Sequence, residues 1–499
     1  MNSNLMYLPE QCYAVLPSNG QLVTITRGAS GYQRSPLDTG SQAENRSIAD
    51  QKNAELGGVS PEQEKDMVDG AVFGWEQLIY RNGGLFPNSK VFEVKIRNSS
   101  PEGYATAATL HLPASWAQFH DALEKARIED ARACWSELCR VYRKDLPAKC
   151  IGPNPNLYEL NLLAQRLAWQ TEAEKNCFEG MLKIEQARTS GTIPLKRLIN
   201  ITYNLDICCV APGVKNDREL GRFLYENEML SDEAMLMVDN AGQDSEYAEE
   251  LLTVLGKKHR EDMCGVFNGQ GYLEATGGDL QDFCIPGEMS YFFRSDAEVV
   301  LEVRKRFFDD PAYDNNLVAT LDLPTIDKGI WRAVEAVGAA SPKECGYRCV
   351  DCVIPSAKEL IDNAIDDEGG IGLVNKYARM LNQQDRKWNS DCWIKYKALL
   401  EASGCSDLRE AMDLLQGMDE YVLRPEVTST WKYAEIRLRE KWPDLPEALF
   451  QTGQSAQIGE SLMEQDNARL TSYGLLCRKD GAPLPVFEPA EQHLTQRME

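Results

Sequence analysis

The chain has 499 residues, of which 77 are Asp or Glu and 53 are Lys or Arg, so its formal net charge is −24. At about 100 to 200 residues per domain, this length predicts three or four domains. A hydrophobic share of 43% is enough to give each domain a core. A chain this acidic is expected to repel nucleic acid and anionic membranes.

The cysteines and the start of the chain indicate where the protein works. Fifteen cysteines in 499 residues are too sparse for a small disulfide scaffold, and Cys208 and Cys209 are adjacent. The first twenty residues lack the pattern of a signal peptide, and no apolar run approaches the length of a membrane span. We therefore expect a cytoplasmic protein with reduced thiols.

Residues 1–88 predict a small α+β module. Residues 12–26 alternate around a Ser-Asn-Gly turn and predict a hairpin, whereas residues 28–40 predict a loop. Residues 43–56 predict a helix, and Ser60-Pro61 predicts the start of a second one. The Gly- and Asn-rich segment 82–88 predicts a linker to the next domain.

Residues 89–288 predict a second unit. Its start has the pattern strand, strand, amphipathic helix, over residues 90–97, 106–113 and 116–126. Residues 156–169 and 193–205 have apolar positions at helical spacing. A strand pattern over residues 265–274 closes the unit, and we expect the short connection at 287–296 to fix its orientation relative to the next unit.

An internal repeat dominates the rest of the chain. The segment ATLHLP at 108–113 recurs as ATLDLP at 319–324, 211 positions later, each before a helix that contains Trp116 or Trp331. Later correspondences, at offsets of 214, 213 and 203, pair Leu157, Asn161, Ala164 and Leu167 with Ile371, Asn375, Ala378 and Leu381, then Leu195, Ile199 and Asp206 with Leu408, Met412 and Asp419, then Leu255-Gly256 with Ile458-Gly459. We predict a duplicated unit at 289–489 and a tail at 490–499.

Acidic residues cluster within each copy. One interpretation is that they form solvated helix faces. The other is that carboxylates on a folded surface imitate the phosphates of a DNA duplex. For that role the sequence suggests Asp217, Glu219, Glu226, Glu228, Asp232, Glu233, Asp239, Asp244, Glu246, Glu249 and Glu250 in the first copy, and Glu359, Asp362, Asp366, Asp367 and Glu368 in the second.

Signals for catalysis are poor. The four histidines form no His-Glu-x-x-His motif, and no phosphate-binding Gly-x-x-x-x-Gly-Lys run is present. The Gly269-Gln270-Gly271 segment lacks the third glycine of a dinucleotide loop and fits a hairpin turn better. Glu93-Val94-Lys95 has the spacing of a nuclease pair but no identifiable Asp partner. We expect no enzyme and no cofactor.

Three cysteines have a spacing that a metal site can use. Cys345, Cys349 and Cys352 are a candidate for zinc if a fourth ligand comes from elsewhere in the chain. The alternative is that they are structural thiols, because no matched second pair of cysteines is present.

The order of several segments along the chain resembles that of a known protein family. The Leu-x-x-Leu-Asn run at 157–161, the helical middle ending near Leu205-Asp206, the ELGRF segment at 219–223, and Leu255-Gly256 before the strand at 265–267 resemble the antirestriction protein ArdA. The resemblance spans residues 89–288 and, more faintly, 289–489. Residues 7–75 resemble an accessory module of mobile-element proteins in Gram-positive gut bacteria.

The resemblance implies a fold and a function. It implies an α+β class, as an elongated multi-domain chain of small α/β modules with an internal duplication. ArdA-like proteins are carried by conjugative elements and phages, mimic bent DNA, and occupy the DNA groove of type I restriction-modification enzymes. The expected partner is a defence protein with a basic DNA-binding groove. Alternative functions are inhibition of a CRISPR effector or other defence complex, or a role as an adaptor of a conjugative element. The chain is expected to be a monomer with pseudo-dimeric repeats or a homodimer.

Overall fold

The fold is described from a computed structural model of the chain. The described residues are 11–15, 22–28, 31–37, 40–61, 63–64, 67–68, 90–99, 101–131, 134–168, 170–189, 191–242, 245–275, 280, 297–305, 318–366, 370–385, 390–450 and 453–487. They form an N-terminal module, a first unit over 90–275 and a second unit over 297–487. The predicted boundaries at 88/89, 288/289 and 489/490, the linker at 82–88 and the connection at 287–296 lie outside these residues.

The N-terminal module is a three-stranded antiparallel sheet with helices. Its elements are β1 (Gln11–Val15), β2 (Leu22–Gly28), β3 (Gly31–Pro36) and α1 (Gln42–Glu55). The Asn53 side chain accepts from the Tyr13 N–H at 2.7 Å and donates to the Tyr13 carbonyl at 2.7 Å, which docks α1 on β1. The predicted hairpin and first helix are present.

The prediction of a loop over residues 28–40 is wrong, because β3 lies there. Gly28 pairs with Gly31 in the register of β2 and β3, and two glycines flank the tight connection between these strands. The segment GYQRSP has one aromatic residue among glycine, proline and polar residues, so it shows no alternation of apolar and polar positions. That is why the alternation rule missed it.

The first unit begins and ends with a three-stranded antiparallel sheet. We call β4, β5 and β6 its leading sheet and β7, β8 and β9 its closing sheet. The strands are β4 (Phe92–Arg97), β5 (Ala108–Leu112), β6 (Trp135–Val141), β7 (Cys208–Pro212), β8 (Val266–Phe267) and β9 (Gly271–Ala275). The helices are α2 (Trp116–Lys125), α3 (Leu157–Ala168), α4 (Glu172–Arg188), α5 (Leu195–Tyr203), α6 (Asp217–Glu226), α7 (Asp232–Ala241) and α8 (Glu246–Asp262).

The second unit has the same plan, with a leading sheet of β10, β11 and β12 and a closing sheet of β13, β14 and β15. The strands are β10 (Val299–Lys305), β11 (Ala319–Leu323), β12 (Cys345–Cys352), β13 (Tyr421–Arg424), β14 (Arg469–Thr471) and β15 (Gly474–Arg478). The helices are α9 (Asp327–Ala336), α10 (Lys358–Asp366), α11 (Gly370–Asp385), α12 (Ser390–Ser403), α13 (Leu408–Gln416), α14 (Thr430–Lys441) and α15 (Gly453–Gln465). The α+β class is confirmed.

The sheets of the two units share their topology. The leading sheets have the orders β5-β4-β6 and β11-β10-β12, and the closing sheets have the orders β7-β9-β8 and β13-β15-β14. The central strand of each leading sheet carries a register shift at the matching place, between Glu93 and Val94 and between Val300 and Leu301. The two halves of the repeat therefore have the same strand arrangement, and the sequence did not reveal β6 or β12.

Two buried asparagines occupy equivalent places in the repeat. Asn161 on α3 accepts from the Ala114 N–H at 2.8 Å and donates to the Ala114 carbonyl at 3.0 Å. Asn375 on α11 makes the same pair of bonds with Thr325, each at 2.9 Å. Each pair of bonds connects a helix to the segment that follows β5 in the first unit or β11 in the second. The helices that contain residues 157–167 and 371–381 therefore make equivalent contacts in the two units, as the repeat predicted.

The units also contact each other through α2. The Ser115 hydroxyl, at the start of α2, donates to the Asp351 carboxylate on β12 at 2.6 Å. The Tyr473 hydroxyl, at the β14–β15 turn, donates to Asp121 on α2 at 2.5 Å. The Lys397 ammonium on α12 donates to Glu124 on α2 at 2.6 Å. Through these contacts α2 packs against three separate elements of the second unit.

Candidate acidic interaction surface

The predicted acidic stretch of the first unit folds into three helices, α6, α7 and α8. Each begins after a capping residue, and the side chains of Asn216, Ser231 and Ser245 accept from backbone N–H groups of the first turn. Each first turn also carries carboxylates, which are favourable there because the N-terminal end of a helix bears partial positive charge. The same residues thus start the helices and supply the negative charge.

Close contact between α6 and α8 holds this region together. A Cβ atom on Gly221 would lie 1.8 Å from the Leu252 carbonyl oxygen, and one on Gly256 would lie 2.0 Å from the Asp217 carbonyl oxygen. Only glycine permits this approach. The Arg260 guanidinium on α8 also pairs with the Asp217 carboxylate on α6 at 2.6 Å.

Seven of the predicted carboxylates of the first unit are exposed, and we call this set the acidic face. They lie on all three helices and on the turn after α6. Their members are Glu226, Glu228, Asp232, Glu233, Asp239, Glu246 and Glu250.

Three other predicted carboxylates are used inside the unit. Asp217 pairs with Arg260, and Glu249 pairs with Arg222 and, at 3.6 Å, with Arg218. Glu219 accepts from the backbone N–H of Lys215 at 2.7 Å, and this bond lowers its pKa. These groups brace the helices, and the charge that they offer to a partner is reduced. Asp244 lies outside the described residues.

The acidic residues predicted in the second unit divide in a similar way. Glu359 and Asp366 on α10 are exposed. Asp362 is half-buried and accepts from the backbone N–H of Cys349 at 2.6 Å, and burial raises its pKa. It therefore anchors α10 to β12. Asp367 and Glu368 lie outside the described residues.

Sequence reasoning missed the apolar side chains beside the acidic face. Five large apolar residues on or between the same helices are between 52% and 64% exposed. They are Met229, Leu236, Met237, Tyr247 and Val254. The signal was present in α7, whose sequence DEAMLMVDNA buries only Val238. A solvated helix face would not concentrate large apolar side chains in this way.

The acidic face belongs to the first unit alone. From Asp217 to Gly256 is 39 positions, but from Thr430 to Gly459, the matching glycine contact, is 29. The difference of ten residues equals the length of α7. Residues 217–262 hold 13 acidic and five basic residues, whereas residues 430–465 hold six and four. In this region the two copies therefore differ both by one helix and in charge.

The three cysteines proposed for zinc lie in the core of the second unit. Cys345, Cys349 and Cys352 are on β12 and are buried among apolar side chains. Burial raises the pKa of Cys352 to about 12 and also raises the pKa of the other two thiols. Among the described residues, no group of three or more His, Cys, Asp or Glu side chains could hold a metal ion.

The other residues considered for catalysis form contacts within the fold. Glu93 of the Glu-Val-Lys segment lies on β4 and accepts from the Tyr142 hydroxyl at 2.8 Å. The segment 269–271 connects β8 to β9, as the hairpin prediction expected. His259 contacts Glu274 at 2.8 Å, and Tyr272 donates to the same carboxylate oxygen at 2.8 Å. That trio lies between α8 and the closing sheet.

No helix within the described ranges has the length and apolar character needed to cross a bilayer. Comparison with protein families, curated proteins and solved structures finds no match to this chain.

Proposed function

We propose that this protein is a non-enzymatic inhibitor that imitates DNA and occupies the DNA-binding groove of a bacterial defence enzyme. A type I restriction-modification complex is the first target, from the resemblance to ArdA. The observation that carries the proposal is the acidic face, whose seven exposed carboxylates lie on three helices and one turn, with α6 and α8 braced against each other. A basic groove that binds DNA phosphates would attract such a surface.

Bracing matters because binding is tighter when the surface is already ordered. The glycine contacts between α6 and α8 and the Arg260–Asp217 pair hold the carboxylates of these two helices in place before any partner binds. Less conformational freedom is then lost on association. Inhibition by occupancy also needs no catalytic group. Because the proposed target is cytoplasmic, we propose that this protein acts in the cytoplasm.

The test of mechanism is a titration of DNA cleavage by a type I restriction complex. We expect cleavage to stop near one inhibitor per DNA-binding site, with no nucleotide consumed by the inhibitor and no DNA cut. Full inhibition at a small fraction of that ratio would mean catalytic inactivation and would exclude occupancy. The same titration with a CRISPR effector tests the alternative target.

The test of surface uses charge-neutral variants. Changing all seven carboxylates of the acidic face to Asn or Gln should abolish inhibition, and subsets should weaken it gradually, because each exposed pair contributes only about 0–1 kcal/mol. A matched control neutralises seven exposed carboxylates of the second unit, namely Glu335, Asp413, Asp419, Glu426, Asp444, Glu460 and Glu464. Equal loss in both variants would show that net charge alone matters.

A second function, an adaptor that binds a protein partner, is favoured by the exposed apolar residues beside the acidic face. An adaptor would bind mainly through Leu236, Met237 and Tyr247, and its binding would tolerate added salt. Changing these three to Ser separates the functions. The variant should retain DNA-competitive, salt-sensitive inhibition if the protein is a mimic, and should lose partner binding if it is an adaptor.

A further inference from the structure

A cavity of about 330 Å³ lies where the two units meet. One wall comes from β5 and α2 of the first unit, and the other comes from β12 and the start of α10 in the second. Its size is at the lower end of the range typical of small-molecule sites, which is roughly 300–1,000 Å³. The charged and titratable side chains that line it are Lys90, His111, Asp121, Lys125, Arg348 and Lys358.

The charge of this cavity is opposite to that of the chain. Four permanent cations and a histidine face one carboxylate, in a protein with a net charge of −24. That carboxylate, Asp121, is already engaged by the Tyr473 hydroxyl at 2.5 Å, Lys125 at 2.9 Å and Lys397 at 3.5 Å. It therefore does not neutralise the other cations.

The remaining cations are not fully compensated either. Arg348 pairs with Glu302 at 2.9 Å, but Glu302 also pairs with Arg304 at 2.7 Å. Lys358 interacts electrostatically with Asp351 and Asp362 without forming an ion pair in the described part of the chain.

Lys90 forms no ion pair with any described residue. The pKa of His111 is lowered, mainly by burial and also by the positive charge of Lys90. Like charges gathered in one cavity repel each other, and a bound anion would relieve that repulsion.

The uncharged residues that line the cavity indicate the chemistry of the rest of the ligand. Leu110, Pro113, Val350 and Pro355 supply apolar surface, and Thr109 and Gln118 supply neutral hydrogen-bonding groups. We propose that this cavity binds a phosphorylated small molecule of mononucleotide size, with its phosphate among Lys90, Arg348 and Lys358 and its body against the apolar wall. Arginine is suited to phosphate because its planar fork donates two parallel hydrogen bonds.

Because the cations come from both units, a bound anion bridges them. Binding should therefore also raise the melting temperature of the full chain, since a ligand that binds only the folded state stabilises it. This site is separate from the acidic face, so its failure and the failure of DNA mimicry are distinguishable. The variant that lacks the seven carboxylates of the acidic face should bind the anion as the natural chain does.

The experiment is calorimetric titration of the full chain with adenosine monophosphate, inorganic phosphate, adenosine and citrate. We expect saturable one-to-one binding of adenosine monophosphate, weaker binding of inorganic phosphate, and none of adenosine. Lys90→Gln and Lys358→Gln should each raise the Kd at least tenfold, and Lys358→Arg should restore much of the affinity. Lys441→Gln, at an exposed lysine at the end of α14 and outside the cavity, is the matched control and should change nothing.

Three results would overturn the proposal. Absence of saturable binding with every phosphate probe at millimolar concentration removes the site. Equal weakening by Lys441→Gln shows unspecific surface attraction. Citrate binding as tightly as adenosine monophosphate rejects phosphate as the recognised group.

Discussion

Asn161 shows how much one side chain contributes to the arrangement of a unit. Its amide group satisfies both backbone groups of Ala114, at 2.8 and 3.0 Å, in a fully buried place. A buried backbone group that loses its partner costs about 1–3 kcal/mol, because it gave up water on folding. Asn375 repeats the arrangement with Thr325 in the second unit.

We expect Asn161→Ala to lower the free energy of unfolding by about 2–5 kcal/mol, since two backbone groups lose partners at once. Asn375→Ala should behave alike in the second unit. Asn363→Ala, an exposed position on α10, is the control and should change stability by less than about 0.5 kcal/mol. Urea unfolding measures all three. A change below about 1 kcal/mol for Asn161→Ala would contradict this account.

Asp351 is a buried carboxylate at the contact between the units. It accepts from the Ser115 hydroxyl at 2.6 Å and from the Cys352 N–H at 3.0 Å, and Lys358 also favours its charged form. Burial outweighs these effects and raises its pKa from 3.8 to about 6. The folded state therefore binds this proton more tightly than the unfolded state.

The sign of the pH effect follows from that difference. Above pH 6 the buried charge opposes folding, and this penalty declines as the pH falls from about 6 to about 4. Acidification from pH 7.5 to pH 5 should thus stabilise the natural chain relative to Asp351→Asn by about 1–2 kcal/mol. Urea unfolding at both pH values measures this. Equal pH dependence in the two proteins would mean that Asp351 does not titrate in this range.

At the scale of elements, glycines decide how closely helices pair. Gly256 on α8 faces the carbonyl of Asp217 on α6, and Gly459 on α15 faces the carbonyl of Thr430 on α14, where a Cβ would lie 1.9 Å away. The same contact occurs in both units. Each of these helix pairs therefore depends on a glycine at this position, and the pair in the first unit depends on Gly221 as well.

We expect Gly256→Ala to lower the free energy of unfolding by about 1–3 kcal/mol, because the two helices must separate to admit the methyl group. Gly372→Ala is the matched control. A Cβ there meets nothing within 4 Å, so the helix propensity of alanine should stabilise α11 by about 0.5–1 kcal/mol. Thermal unfolding compares the two variants. If Gly256→Ala stabilised the protein as Gly372→Ala does, the space between α6 and α8 would be large enough for a methyl group.

The whole molecule is shaped by the contact of α2 with the second unit. Lys397 on α12 is buried and lies 2.6 Å from Glu124 and 3.5 Å from Asp121. Removing one partner from a buried ionic group costs about 3–5 kcal/mol, because the other charges stay buried without compensation. This network therefore couples the two units.

We expect the two units to unfold at temperatures that differ more in Lys397→Met than in the natural chain, because coupling between the units weakens. Lys376→Met, at an exposed position on α11, is the control and should leave the transitions as they are. Differential scanning calorimetry detects the change. An unchanged profile for Lys397→Met would show that the contact adds no coupling.

Local features were predictable from the sequence alone. The helix start at Ser60-Pro61 and the apolar spacing of residues 157–167 involve residues that are close in sequence, and the repeat offsets come from comparing positions along the chain. The same is true of the net charge. The class of the fold and the acidic stretch of the first unit followed from these signals. So did the helices α1, α2, α3 and α5 and, through the repeat, α9, α11 and α13.

Contacts between distant residues decided the rest. The sequence could not separate Asp217 and Glu249, which brace helices, from Glu226 and Glu250, which face solvent, because all four have the same chemistry and similar neighbours. Nor could it reveal the edge strand β3 or the cationic cavity. Ser115 and Asp351 are 236 positions apart, and Asp121 and Tyr473 are 352 apart. Sequence periodicity carries no information over such separations, so only the packing of one unit on the other brings these groups together.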